Sequence, residues 1–64
     1  MITRITRCII RHYRDNHTTR AYVEWIDHKG REGRTEGDPL HSGHIWSLIF
    51  RADREGVRRE FQAW

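Results

Sequence analysis

Cys8, His12, His41 and His44 are the residues of this 64-residue chain whose types and spacing together invite a zinc reading. Their C-x3-H and H-x2-H spacings would put each pair one turn apart if both lay on helices, with the nitrogen and sulfur donors that zinc takes. On a strand, residues four apart are separated by about 13 Å, too far to share one ion. The simpler reading makes Cys8 a small buried hydrophobe and leaves His41 and His44 at the start of a helix, with no metal and no cofactor. Ser42 and Ser47 stand beside those histidines, but helix neighbours do not build a nucleophile, base and orienting group. Gly30, Gly33 and Gly37 precede the helix without the Lys-Ser/Thr ending of a phosphate loop. A domain of this size is not expected to enclose a substrate cleft. The chain therefore reads as a non-enzymatic protein with no catalytic residue.

The arginines are the other chemical lead. Lysine and arginine together number 12, Lys29 is the only lysine, and the net charge is +3. Arginine suits planar, bidentate recognition of phosphate or carboxylate. Arg4, Arg7, Arg11 and Arg14, with Arg20, Arg58 and Arg59, could form a basic surface beside Tyr22 and Trp64. A solvated face, with arginine stems covering the sheet, is the plainest reading. Docking on an acidic protein comes next, since Arg, Tyr and Trp are frequent interface anchors. Single-stranded nucleic acid, held by phosphate pairing and stacking, is third because a charge of +3 is modest for such a ligand.

The elements that must position these residues are legible to different degrees. The stretch from Asp38 to Gly56 carries a helix start, a long period and a stop. Asp38 can cap, Pro39 can take the first position, and Gly56 suits the left-handed residue after the end. Ile45, Leu48, Ile49 and Ala52 form its apolar stripe, flanked by Trp46 and Phe50. Residues 2–14 are ambiguous. As a helix, Ile2, Ile5, Ile9 and Tyr13 face the arginines across the axis, a basic amphipathic pattern. As a strand the alternation is poor, but the β-branched Thr3, Ile5, Thr6, Ile9 and Ile10 favour it, and a bulge near Cys8-Ile9-Ile10 would repair the pattern. Asp15-Asn16-His17-Thr18 is a turn. Residues 19–27 alternate cleanly, Ala21, Val23 and Trp25 against Tyr22, Glu24 and Ile26. Asp27-His28-Lys29-Gly30 is a hairpin turn, residues 31–37 a short charged edge strand, and residues 57–64 a last strand.

Tyr22-Val23-Glu24-Trp25, the Asp27–Gly30 turn, residues 33–39, Arg54 to Val57 and Trp64 resemble small uncharacterised proteins of bacterial temperate phages and prophages. Some proteins of that size and setting inhibit host defence, anti-CRISPR proteins among them, by binding a host complex stoichiometrically. The resemblance implies that mode of action and transfers no functional residue.

The expected fold is thus a single α+β domain over residues 1–64: a small antiparallel sheet of three to four strands, order βββαβ, with one helix on one face. Trp25, Ile45, Leu48, Ile49, Ala52 and Phe61 should form its core. No apolar run could span a membrane, and the lone Cys8 suggests a reducing, cytoplasmic setting in a host cell. The expected partner is a host protein or ribonucleoprotein complex, with nucleic acid as the rival, and the protein itself a monomer or homodimer. The binding surface should lie on the sheet face away from the helix, around Arg7, Arg11, Tyr22, Glu24, Ile26 and Arg58.

Overall fold

The computed structural model describes residues 1–64 and follows the expected element order: β1 (Ile2–Tyr13), β2 (Thr18–Asp27), β3 (Glu32–Gly37), α1 (Gly43–Arg54) and β4 (Arg59–Ala63). The four strands form one sheet in the order β3-β2-β1-β4, with the helix packed on one face. The class is the expected α+β. The sheet is mixed, however: β1 pairs antiparallel with β2, β2 antiparallel with β3, and β4 lies parallel to β1. The helix carries the chain from β3 at one edge to β4 at the other, and that crossover sets β4 parallel.

β1 is a strand, and its poor alternation has a structural cause. Two residues of β1 oppose one step of β2 between Ile2 and Arg4, and again between Ile5 and Arg7. Each bulge shifts the side-chain parity by one. Ile5 and Cys8, three apart, therefore share the helix face, and from Cys8 onward the alternation is regular. The bulges lie earlier than Cys8-Ile9-Ile10, at the two threonines Thr3 and Thr6.

The buried core between sheet and helix is Ile5, Cys8, Ala21, Val23, Ile45, Leu48, Ile49 and Ala52, with Trp25, Trp46 and Val57 partly buried against it. Phe61 is not part of it and is 73% exposed. Its side is the helix side of the sheet, but β4 is the strand at the sheet's margin. Trp25 crosses β3 instead: its indole lies where a Cβ at Gly33 would stand, 2.1 Å from Cη2, and its N–H donates to Thr35 Oγ1 at 3.0 Å.

The helix starts later than Asp38 and Pro39 imply. Asp38 organises a separate turn, accepting from Leu40 N–H on its side chain and from His41 and Ser42 N–H on its carbonyl. Ser42 is the N-cap, its hydroxyl accepting from Ile45 N–H. At the other end Gly56 takes φ +80°, while Val57 N–H bonds Ala52 carbonyl and Gly56 N–H bonds Asp53 carbonyl. This is the Schellman arrangement, and it satisfies carbonyls that the last turn would leave bare.

β4 pairs only with Cys8 to His12, so the first half of β1 has no strand on that side. The end of the helix supplies the missing partners. Glu55 accepts the Ile5 N–H at 2.7 Å and the Arg51 Nε–H at 2.6 Å. Arg51 in turn donates to the carbonyls of Ile2 and Thr3, at 2.9 and 3.0 Å. The Ile5 N–H, helped by Arg51, holds the Glu55 carboxyl below its ordinary pKa. Beside the same end of β1, where Ile2 pairs with Asp27, the Asp27 carboxylate closes the β2–β3 turn by accepting from Arg31 and Lys29 N–H, and its pKa too is lowered.

Two expectations follow. Leu48 is 6% exposed within the core, so Leu48→Ala should cost about 2–5 kcal/mol in chemical denaturation; a wild-type midpoint would remove it from the core. A carboxyl whose folded pKa is depressed contributes stability that is complete above its unfolded value, about 4, and lost as the pH falls through the folded value. Melting temperature should therefore drop in acid, and Glu55→Gln should lower it near neutrality while flattening that acid decline. An unchanged acid limb would show that Glu55 does not carry it.

Candidate functional site on the open face of the sheet

Alternation places Arg7, Ile9, Arg11 and Tyr13 of β1, with Arg20, Tyr22 and Glu24 of β2, on the face that the helix leaves open. Arg34 and Glu36 of β3 and Glu60 and Gln62 of β4 complete it. The expected residues Arg7, Arg11, Tyr22 and Glu24 do share this face, and Ile26, half-buried, follows them along β2. Arg58 is exposed in the segment before β4, outside the strands.

Tyr22 is not the exposed aromatic that its outward position suggests. It is 7% exposed, because arginines roof its ring. The Arg11 guanidinium lies 5.0 Å from the ring centroid and that of Arg34 4.4 Å from it. Arg11 also lies 4.8 Å from the Trp64 ring, so one guanidinium contacts two aromatic faces. Its Nε donates to Gln62 Oε1 at 3.0 Å and its Nη1 to the Tyr13 hydroxyl at 3.3 Å. The Tyr13 and Tyr22 hydroxyls are 3.2 Å apart. Ile9, 4% exposed, sits beneath this layer. Polarisable cations over aromatic rings thus form a thin second core on a face with no helix.

The charges of the face divide into satisfied and unsatisfied groups. Arg7 pairs with Glu60 at 2.7 Å. Arg31, Arg51 and Arg59, elsewhere, pair with Asp27, Glu55 and Asp53. Arg11, Arg20 and Arg34 have no carboxylate in ion-pair range. Arg11 and Arg20 are moreover direct cross-strand partners, a like-charge opposition that costs stability. The Tyr13 phenol is pushed below its ordinary pKa by its hydrogen bonds with Tyr22 and Arg11, whereas the Tyr22 phenol is pushed up by Tyr13 and by burial.

No ligand set gathers at the residues considered for a metal. Cys8 is fully buried beneath the helix, and burial raises its thiol pKa. His12 faces Thr19 Oγ1 at 3.2 Å, and His41 and His44 are exposed near the helix start. The one depression, bordered by Thr6, Glu24, Trp25, Glu32, Gly33 and Arg34, is open to solvent. No helix is long and apolar enough to cross a membrane. The stacked arginine was the feature hidden in the sequence; its only signal was Tyr22, Trp64 and Arg11 in one presumed sheet.

Alkaline titration followed by near-ultraviolet absorbance should show two separated steps for the hydrogen-bonded Tyr13–Tyr22 pair. Arg11→Ala should raise the first step, since the cation that stabilises the Tyr13 phenolate is gone; an unmoved first step would contradict the Arg11–Tyr13 contact. Comparison with protein-family models, with curated proteins and with solved structures finds no match to this chain.

Proposed function

We propose that this protein acts by binding: its open sheet face docks on a host protein or ribonucleoprotein complex and inhibits or modulates it. Counter-defence of the anti-CRISPR type is the most concrete form of this reading. The observation that carries it is the opposed pair Arg11 and Arg20, neither in an ion pair, with Arg11 and Arg34 lying on the Tyr22 ring. A like-charge opposition retained in so small a sheet breaks a local stability rule, and such breaks concentrate at functional positions. Arg11 and Arg34 already rest on rings, so they lose little further freedom when they engage an acidic surface.

The test is expression in a bacterium with active CRISPR immunity, challenged by a phage that the immunity targets. Plaquing should rise by at least about tenfold, and each tenfold corresponds to a 1.4 kcal/mol shift if inhibition tracks binding. The double variant Arg11→Glu, Arg34→Glu should abolish the effect while circular dichroism keeps its strand and helix signal. No effect of the wild-type protein would reject the counter-defence role, and full activity of a folded double variant would move the site elsewhere.

A second reading, a small nucleic-acid-binding accessory protein, has its own observation. Residues 11–20 carry Arg11, His12, Arg14, His17 and Arg20 against Asp15 alone, and Trp64 beside them is 65% exposed. The docking reading expects weak binding to a single-stranded oligonucleotide, falling steeply with salt. A sub-micromolar complex at physiological salt would favour nucleic acid instead.

A further inference from the structure

We propose that the outer edge of β4 pairs with the same edge of a second copy, antiparallel about a two-fold axis at Phe61, to make one continuous sheet. This pairing is independent of the host partner and follows from the direction of the β4 backbone groups. Trp64 N–H donates to the His12 carbonyl at 2.9 Å, and the Trp64 carbonyl accepts from Arg14 N–H at 2.8 Å. Both groups of Trp64 therefore face β1. Alternate residues of a strand direct their groups to opposite sides, so Glu60 and Gln62 also face β1 while Arg59, Phe61 and Ala63 point away from it. β4 is the last strand of the sheet, and no backbone partner meets those three residues.

A two-fold pairing centred on Phe61 sets Arg59 against Ala63 of the second copy and Phe61 against its own counterpart. The opposed residues are the ones with outward backbone groups, so each pair can exchange both of its N–H···O bonds. Glu60 then stands opposite Gln62, and no like charges meet. Slipping by two residues one way opposes Glu60 to Glu60; slipping the other way opposes Phe61 to Ala63 and parts the two Phe61 rings. A one-residue slip turns the faces over. The register is thus self-selecting.

The side chains fit the same axis. Phe61 is 73% exposed and Phe50 50% exposed, both on the helix side. Phe50 stacks on Trp46 with centroids 5.3 Å apart, and Arg59, two residues before Phe61, reaches over the Trp46 ring at 5.7 Å. A two-fold normal to the sheet keeps both helices on one face, so the two Phe61 rings meet in the space between them. Exposed aromatics beside an unprotected edge are what such pairing covers. The other edge is defended: β3 alternates Glu32, Arg34 and Glu36 with Gly33 and Thr35.

Sedimentation equilibrium at sub-millimolar concentration should give twice the 7.8 kDa mass of one chain. Phe61→Glu should raise the dissociation constant at least about tenfold, a loss of 1.4 kcal/mol or more. Ala63→Pro should weaken the dimer as well, because it removes only an outward N–H. Amide exchange should slow at Arg59, Phe61 and Ala63 as concentration rises, with no change at Glu60 or Gln62, and this pattern decides the matter if either variant fails to fold. A monomer at every concentration, a dimer indifferent to both substitutions, or concentration-dependent protection on β3 would each overturn the proposal. Protection of the β4 edge only on adding another protein would assign it to that protein's strand and overturn it equally.

Discussion

The structure depends on how the first half of β1, paired with β2 on one side, is closed on the other. A strand with two bulges in its first six residues, Ile2 to Arg7, cannot keep a full ladder, and β4 reaches only its second half. Buried or half-buried backbone groups without partners cost about as much as lost hydrogen bonds. The Arg51–Glu55 pair resolves this from above. One i,i+4 couple on the last helical turn both neutralises itself and serves a backbone N–H and two backbone carbonyls of β1. It therefore fixes where the helix ends over the sheet, and the Gly56 turn that follows aims the chain at the β4 position. An exposed helix pair of this kind ordinarily contributes little; here its value lies in the main-chain groups it satisfies.

The open face solves a related shortage by different means. A chain of 64 residues has one helix, so one sheet face lacks a cover. Guanidiniums lying on Tyr22 and Trp64 take that place, leaving Ile9 and Tyr22 as dry as residues in the main core. The surface this creates is flat, polar at its margins and rich in undirected N–H donors. It is suited to meeting another macromolecule and poorly suited to enclosing a small one.

Much of the fold was legible in the sequence because most elements obey one period each. Ile45, Leu48, Ile49 and Ala52 keep the helical spacing, and Ala21, Val23 and Trp25 keep the alternation of β2. β1 was harder for a definite reason. Its bulges space Ile2, Ile5 and Cys8 three apart, which imitates a helix; only the β-branched composition argued for the strand that is present. The helix start was misplaced because Asp38 and Pro39 make a turn of their own, and a sequence does not show that Ser42 competes successfully for the cap. The direction of β4 and the exposure of Phe61 are set by where the crossover lands, a long-range matter that local pattern does not encode. For the candidate surface, the face of Arg7, Arg11, Tyr22 and Glu24 could be read from parity. That arginines would bury Tyr22 could not, since it needs β1, β2, β3 and β4 side by side.

The parallel β1–β4 ladder also orders the assembly of the molecule in time. β1 and β2 are joined by a short turn and can zip as a hairpin, whereas Ile10 meets Phe61 only after about fifty residues of chain have been looped back. Closing so long a span costs entropy before any contact rewards it, so the hairpin forms first and β4 docks last. The same order run backwards makes β4 the first strand to leave, and its departure bares the second half of β1. One of the two inner strands of this sheet is guarded by its latest and shortest neighbour.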